Sequence, residues 1–331
     1  MKHNTLATAT LLLAAMFSVG QAAAQTSMGS LDIFGSLGSS LPGSSAPNEN
    51  AVDYVALGDS YAAYGSVTAP TTGPEPCRRA NDNYPSGVLS QPNIQGTDAS
   101  CGGAVTDNVL RPWDRGGGLV IPAQADSLNA GTDLVTLSIG GNDINFSAIA
   151  SCFFEVAQDP NATPCKGRLE DDINQRYAAL PAKLDAVHSE IDRRSPNAQV
   201  IVTGYYTLVT DSGACSEAGA MSLTDRAWIV DLTDRLNVLM SDAASRHGAK
   251  FVLPANADQH TACADPAQRW VDGSGRLTNS HSMHPTALGQ KVMADAVVGD
   301  ICASVGSEAA ENPRSKKRAL PITQCDGRAR F

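Results

Sequence analysis

The stretch VDYVALGDSYAAYGS, residues 52 to 66, begins with alternating strand-like residues and passes through Gly58, Asp59 and Ser60 into small and aromatic residues. Its first half predicts a strand, so Ser60 stands where that strand ends. In parallel α/β folds, the loops that leave the carboxyl ends of the strands converge on the active site. Ser60 is therefore either a nucleophile or a cap of the next helix, and this stretch alone leaves both open.

Beyond this stretch, predicted strands alternate with predicted helices. Further buried strands are expected over residues 133–143, 198–206 and 249–256. Helical spacing covers residues 169–196, 223–248 and 286–306. Thr224 is the expected cap of the second helix, and Pro181 is expected to kink the first. Buried strands that alternate with helices predict a central parallel sheet with helices on both faces, and we expect one α/β domain over residues 51–306.

The two ends of the chain differ from this domain in composition. Residues 1–24 have a basic start, an apolar run and an Ala-x-Ala-like site, which predict a signal peptide. Residues 25–50 are rich in Gly, Ser and Pro and are expected to form a flexible lead-in. Residues 307–331 form a basic tail, which is expected to be solvated. No later segment offers about 18 uninterrupted apolar residues, so no stable membrane insertion is expected.

Charge and cysteine content limit the partners and the compartment. The chain of 331 residues has a formal net charge of −10, which becomes −11 once Lys2 leaves with the signal. An acidic protein is a poor partner for nucleic acid, because phosphate binding needs a basic surface. The eight cysteines lack any Cys-x-x-Cys spacing and indicate disulfides in an exported protein. Eight cysteines allow 105 pairings, so the connectivity stays open at this point.

A nucleophilic serine needs a base and oxyanion donors. Of the six histidines, His281 and His284 stand just before the last predicted helix, and Pro285 defines the position of His284 better. Gly140 and Gly141 permit a sharp turn that presents the amide of Asn142, although the same residues suit an ordinary turn. The SCGGAV segment places Gly102 and Gly103 where a backbone N–H could approach a ligand.

In this order and spacing, the blocks GDS (58–60), CGG (101–103), GGND (140–143) and His-Pro (284–285) resemble the SGNH hydrolase family, also called GDSL-type esterases and lipases. The resemblance covers about residues 51–306. It implies a three-layer α/β/α flavodoxin-like fold in one domain, and it favours the nucleophile for Ser60.

Carried over by position, Ser60 matches the nucleophile of the family and His284 its general base. The N–H of Ser60, with Gly103 and Asn142, matches the oxyanion hole. Asp59 beside the nucleophile is interpreted as a structural carboxylate of the turn. Many members carry Asp three residues before the base, where this chain has His281. Because some members of the disulfide-bearing branch use a main-chain carbonyl instead, we predict a Ser60–His284 dyad with the carbonyl of His281 accepting from Nδ1 of His284.

The CGGA segment (101–104) and the NYP segment (83–85) resemble the secreted, disulfide-bearing branch of the family. That resemblance implies the pairs Cys77–Cys101, Cys152–Cys165 and Cys215–Cys263. The pair Cys302–Cys325 is what remains, and it would tether the basic tail.

The expected activity is hydrolysis of carboxylic esters through an acyl-enzyme, without a metal ion or cofactor. Export and the branch favour lipid-like acyl esters for a secreted monomer; O-acetylated sugars remain an alternative. Two other functions are open. A secreted protein could keep the fold for binding alone, or a metal-dependent phosphoesterase could use the metal-capable side chains Asp59, Asn142, Asp143, His281 and His284.

Overall fold

A computed structural model describes residues 51–311, with side chains to Cys302 in the last helix. Its centre is a sheet of five parallel strands in the order β2-β1-β3-β4-β5. The strands are β1 Val52–Gly58, β2 Ile94–Asp98, β3 Leu134–Ser138, β4 Gln199–Thr203 and β5 Lys250–Val252. This is the flavodoxin-like order, in which the direction of strand addition reverses between β1 and β3. Ligands bind at such a switch point, outside the carboxyl ends of the strands.

Seven α-helices accompany the sheet in the described part of the chain. They are α1 Ser60–Ala63, α2 Tyr84–Leu89, α3 Thr106–Leu110, α4 Phe146–Gln158, α5 Cys165–Arg194, α6 Leu223–Arg246 and α7 Ala287–Glu311. Helices α2 and α7 pack together as one pair, and α5 and α6 as another. These pairs cover the two faces of the sheet, so the predicted three-layer α/β/α domain is confirmed.

Short elements complete the loops. Two-residue strands pair as Thr71–Thr72 with Arg79–Ala80, Trp113–Asp114 with Val120–Ile121, and Val271–Asp272 with His284–Pro285. Single 3-10 turns occur at Glu75–Cys77, Gln124–Ser127, Ala257–Gln259 and Pro266–Gln268. The last strand pair matters most for function, because it fixes the backbone at His284.

The sequence prediction missed strand β2 and helix α4. Strand β2 reads IQGTD, is partly exposed and lies at the sheet edge, so it lacks the apolar run that marks the buried strands. Gly96 in this strand packs directly on the backbone of Tyr54, where a Cβ would overlap the carbonyl oxygen. Two residues separate the start of helix α4 at Phe146 from the Gly-Gly-Asn-Asp segment, whose residue types indicate only a turn.

The predicted cap of α6 is wrong. Helix α6 begins at Leu223, and the side chain of Ser222 accepts a hydrogen bond from the N–H of Asp225 at 3.1 Å. Thr224 is therefore already inside the first turn. Helix α5 continues through Pro181.

Three of the four predicted disulfides are present: Cys77–Cys101, Cys152–Cys165 and Cys215–Cys263. The fourth pair lies partly outside the described residues, since Cys325 belongs to the tail. The predicted signal peptide, the lead-in and most of the predicted tail also lie outside them. Within residues 51–311, no helix is long and apolar enough to cross a bilayer.

Candidate active site

Ser60 lies at the first position of α1, directly after the carboxyl end of β1. The cap of this helix is Asp59, whose Oδ1 accepts the N–H of Tyr61 at 2.9 Å. The hydroxyl of Ser60 instead lies 2.7 Å from Nε2 of His284. The capping role thus belongs to Asp59, and the hydroxyl of Ser60 contacts a base.

His284 reaches Ser60 from the loop before α7. Its Nδ1 lies 2.7 Å from the carbonyl oxygen of Ser282. A carbonyl can only accept, so Nδ1 carries the proton and the unprotonated Nε2 accepts from the hydroxyl of Ser60. This is the tautomer that a general base needs.

The predicted contact with the carbonyl of His281 is wrong. That carbonyl accepts the backbone N–H of His284 at 3.1 Å, and the carbonyl next to Nδ1 is that of Ser282. The turn has Met283 at φ 60°, in the left-handed region, and this brings residue 282 rather than residue 281 under the ring. A main-chain carbonyl still orients His284, but it belongs to Ser282, the residue after His281.

No carboxylate contacts His284 in the described part of the chain. Asp272 is fully buried, but it binds Arg269, the N–H of Gly275 and the hydroxyl of Thr278. The site within residues 51–302 is therefore a dyad in its geometry.

Burial sets the protonation of both histidines. It lowers the pKa of His284 to about 4, while the contact with the carbonyl of Ser282 raises that pKa and the nearby His281 lowers it. His281 is half-buried against the ring of Tyr64, 4.5 Å between centroids, and its pKa is lowered by burial and by Arg78. A neutral His284 at pH 7 is ready to take a proton.

The loops with Gly103 and Asn142 meet beside this dyad. Nδ2 of Asn142 donates to the carbonyl of Ala104 at 2.9 Å, which uses one of its two hydrogens. Gly103 has φ 81°, and its N–H makes no hydrogen bond within the described residues. The N–H of Ser60 is at the start of a helix and has no partner in that helix. All three predicted donors thus have a hydrogen to offer a ligand.

Sequence reasoning missed Tyr205, which follows β4. Its hydroxyl lies 2.5 Å from Oδ2 of Asp59 and accepts the N–H of Gly141 at 3.1 Å. One buried hydroxyl therefore links the residue before Ser60 to the residue before Asn142. Burial raises the pKa of Asp59 to about 7, and the hydrogen bond from Tyr205 lowers it. In the sequence, an aromatic residue at a strand end is the one signal for this contact.

Two further buried side chains hold the loops in place. Asp143 accepts from both the N–H and the hydroxyl of Thr106, at 2.9 and 2.8 Å, and it pairs with Lys183 at 2.9 Å. The amide of Gln124 binds both the N–H and the carbonyl of Gly58. No sequence pattern marks Gln124, because its contact is with the backbone of Gly58 at the carboxyl end of β1, 66 residues away.

The metal-capable residues do not converge. Asp59 is turned to Tyr205, and Asp143 is turned to Thr106 and Lys183. No group of three or more metal-ligating side chains occurs within the described residues. The alternative of a two-metal phosphoesterase therefore lacks a site in this part of the structure.

An apolar pocket opens beside the dyad. The ring of Phe146 lies edge-on to His284, 6.1 Å between centroids, and Tyr61 lies 5.6 Å from the same ring. The pocket continues between α4 and α6, and its lining includes Tyr61, Ile144, Phe146, Ile149, Leu232 and Leu236. Its walls suit a hydrocarbon chain.

Relatives of this chain are known by sequence and by structure. The chain is 34% identical over 258 residues to lipase 2 of Streptomyces coelicolor, covering 74% of this chain and 84% of the relative. The crystal structure of an extracellular lipase from Streptomyces rimosus has a TM-score of 0.61 at 32% identity, over 74% of this chain and 100% of that one. Phospholipase A1 from Streptomyces albidoflavus has a TM-score of 0.60 at 29% identity, over 76% and 99%.

The family model matches residues 56–292, which include Ser60, Gly103, Asn142 and His284. The sheet order, the Ser–His contact and this match agree with one another. The chain belongs to the GDSL-like lipase/acylhydrolase family.

Proposed function

We propose that this carboxylic ester hydrolase is secreted and cleaves esters of lipid-like acyl chains with a Ser60–His284 dyad. The observation that carries the mechanism is the 2.7 Å contact between Oγ of Ser60 and Nε2 of His284, with Nδ1 held by the carbonyl of Ser282. This arrangement activates a serine without a carboxylate.

In the first half-reaction, Oγ of Ser60 attacks the ester carbonyl carbon while its proton passes to Nε2 of His284. The carbonyl oxygen becomes an oxyanion, held by the N–H groups of Ser60 and Gly103 and by the free Nδ2 hydrogen of Asn142. The tetrahedral intermediate collapses, and His284 returns the proton to the leaving alcohol. The product is an acyl-serine.

In the second half-reaction, His284 takes a proton from water, and the resulting nucleophile attacks the acyl-serine. Collapse of this intermediate releases the carboxylic acid, and His284 returns the proton to Oγ of Ser60. The carbonyl of Ser282 stabilises the imidazolium in both halves, because it accepts from Nδ1 throughout.

The lipid-like acyl chain is supported by the apolar pocket between α4 and α6. Relatives named lipase and phospholipase A1 point the same way. Secretion is supported by three disulfides and by the similarity to an extracellular lipase. A monomer is the proposed state in solution.

The test of the nucleophile is Ser60→Ala. We expect loss of ester hydrolysis and of covalent labelling by an organophosphonate, because the labelled oxygen is removed. Ser90→Ala is a matched control, since Ser90 is an exposed hydroxyl that bonds only the nearby carbonyl of Gly87. Retention of most of the activity in Ser60→Ala would show that Ser60 is not the nucleophile.

The acyl preference is tested with p-nitrophenyl esters from acetate to palmitate. We expect kcat/KM to rise from acetate into the medium chains, because each methylene buried in the pocket contributes about 0.8 kcal/mol. A preference for acetate would favour the O-acetyl carbohydrate esterase instead.

A further inference from the structure

A second set of residues surrounds the dyad, and none of them lines the apolar pocket. The ring of Tyr64 lies 4.9 Å from that of His284 and 4.5 Å from that of His281. The Tyr64 side chain also packs on Gly102 so closely that a Cβ there would overlap it. We refer to Tyr64, His281 and Gly102 as the aromatic wall.

Arg78 stands next to this wall. It follows Cys77, which is bonded to Cys101 and whose carbonyl accepts the N–H of Gly102 at 3.1 Å. Its backbone has φ 51°, the left-handed conformation that ends the 3-10 turn Glu75–Cys77, and its N–H donates to the carbonyl of Glu75 at 3.2 Å. Arg78 is exposed, and its guanidinium has no carboxylate partner in the described part of the chain.

Arg115 approaches from the hairpin of residues 113–121. Its guanidinium lies 4.1 Å above the ring of Trp113, and the edge of that ring would be 3.4 Å from a Cβ on Gly103. Arg115 also lacks an ion pair among the described side chains, and the neighbouring Asp114 accepts the N–H of Gly116. Burial raises the pKa of Tyr64 and both arginines lower it, which agrees with their charges lying close to the aromatic wall.

We infer that Arg78 and Arg115 bind a phosphate group carried by the alcohol part of the ester substrate. The inference rests on the proposed function, in which the acyl chain fills the apolar pocket and leaves the aromatic wall to the alcohol. Guanidinium groups bind phosphate oxygens in a bidentate manner. Two cations without ion pairs near the aromatic wall would also offset the repulsion of an anionic substrate by a protein of net charge −10.

The test compares two soluble substrates that differ in one group. Both are glycerol esters with two hexanoyl chains, one with a phosphate on the third hydroxyl and one without, assayed as monomers. The readout is the ratio of kcat/KM for the phosphorylated ester to that for the neutral ester. We expect the ratio to fall about threefold in Arg78→Ala or Arg115→Ala, and about tenfold in the double variant, as suits solvent-accessible ion pairs.

Arg246→Ala is the matched control. Arg246 is a partly exposed arginine at the end of α6, just before β5 begins, so it lies at the amino ends of the strands and away from Ser60. Arg246→Ala removes the same net charge as Arg78→Ala or Arg115→Ala, and its ratio of kcat/KM values should equal that of the wild type. A double variant with the wild-type ratio would overturn the inference. Failure of the wild type to cleave even the neutral ester would overturn the proposed function instead.

Two further measurements separate phosphate recognition from general charge. Raising the salt concentration should lower the ratio of kcat/KM values in the wild type, because salt screens the attraction between the arginines and the phosphate. The ratio of the double variant should stay nearly constant, because both arginines are absent. The neutral ester is also presented in phosphatidylcholine vesicles with and without phosphatidylglycerol. If the double variant loses turnover only on the anionic vesicles and keeps the soluble ratio, the arginines bind a surface and the inference is wrong.

Discussion

At the scale of single residues, the imidazole of His284 is oriented by a backbone atom. The carbonyl of Ser282 cannot be removed by changing a side chain, so the side chain of His281 is open to substitution. We expect His281→Ala to keep kcat/KM within about tenfold, and His284→Ala to lose several orders of magnitude. Assays with p-nitrophenyl butyrate measure both. A folded His281→Ala protein without turnover would show that its imidazole takes part in the proton transfer.

Tyr205 acts at the same scale as a positioning residue. Its hydroxyl joins Asp59 to the N–H of Gly141, so Tyr205→Phe should loosen the nucleophile against its oxyanion donors. We expect kcat to fall about tenfold or more, since small misplacements cost that much. KM should change little, because the ring still lines the pocket.

Tyr206→Phe is the control for Tyr205→Phe. The hydroxyl of Tyr206 is equally buried and donates to the carbonyl of Gly289 at 2.8 Å, away from the dyad. Both variants should lose about 1 kcal/mol of stability from a missing hydrogen bond. Only Tyr205→Phe should lower kcat. An equal kcat in the two variants would show that the Tyr205 hydroxyl contributes to stability alone.

At the scale of elements, the segments that follow three neighbouring strands hold the proposed nucleophile and oxyanion donors. Ser60 begins α1 after β1, the loop after β2 holds Gly103, and the loop after β3 holds Asn142. Asn142 and Asp143 bind the loop after β2, and Tyr205 links the other two. The loops are thus joined mainly by side chains that do not themselves react.

The start of α6 gives a prediction at this scale. Ser222→Ala should lower the free energy of unfolding by about 1 kcal/mol, because the N–H of Asp225 loses its acceptor. Thr224→Ala should change it by less than about half of that, since Thr224 is exposed inside the first turn. Urea denaturation of the two variants measures the difference. An equal loss of unfolding free energy in the two variants would contradict the assignment of Ser222 as the cap of α6.

At the scale of the whole molecule, buried titratable groups make stability depend on pH. Burial lowers the pKa of His284 and of His188 to about 4, against 6.5 for an exposed histidine. Between pH 6.5 and 4 the unfolded chain therefore binds protons that the folded chain does not, and stability falls as the pH falls. Asp59 acts in the opposite sense, because its raised pKa of about 7 makes stability fall as the pH rises from 4 to 7.

Burial also raises the pKa of Asp98 and of Asp234, so these carboxyl groups add to the opposing effect of Asp59, and the contribution of a single histidine is best isolated by substitution. His188 lies in α5, stacked on His247, and serves as the variable group because it is remote from Ser60 in the fold. His188→Gln should remove this contribution, so the free energy of unfolding at pH 4.5 relative to that at pH 6.5 should rise by about 2 kcal/mol in the variant. Urea midpoints at several pH values measure it. A slope that is unchanged in His188→Gln would contradict the assignment.

The sequence by itself determined the fold class, and its resemblance to a known family indicated three disulfides and the pairing of Ser60 with His284. Apolar runs and helical spacing are local properties, so the buried strands and long helices can be identified from residue order alone. Ser60 and His284 can be singled out because the short blocks that contain them resemble, in order and spacing, those of a known family. The edge strand β2 cannot, since partial exposure removes the apolar run that marks a buried strand.

Only the tertiary structure decided which atoms meet. The choice of the Ser282 carbonyl over that of His281 depends on a left-handed turn at Met283, which residue types alone do not reveal. Tyr205 meets Asp59 across 146 residues of sequence, so no local pattern could pair them. Residues that are far apart in sequence, such as Tyr205 and Asp59, meet because parallel strands bring their carboxyl ends to one edge of the sheet. Sequence patterns act over a few residues, whereas an active site is assembled from distant ones.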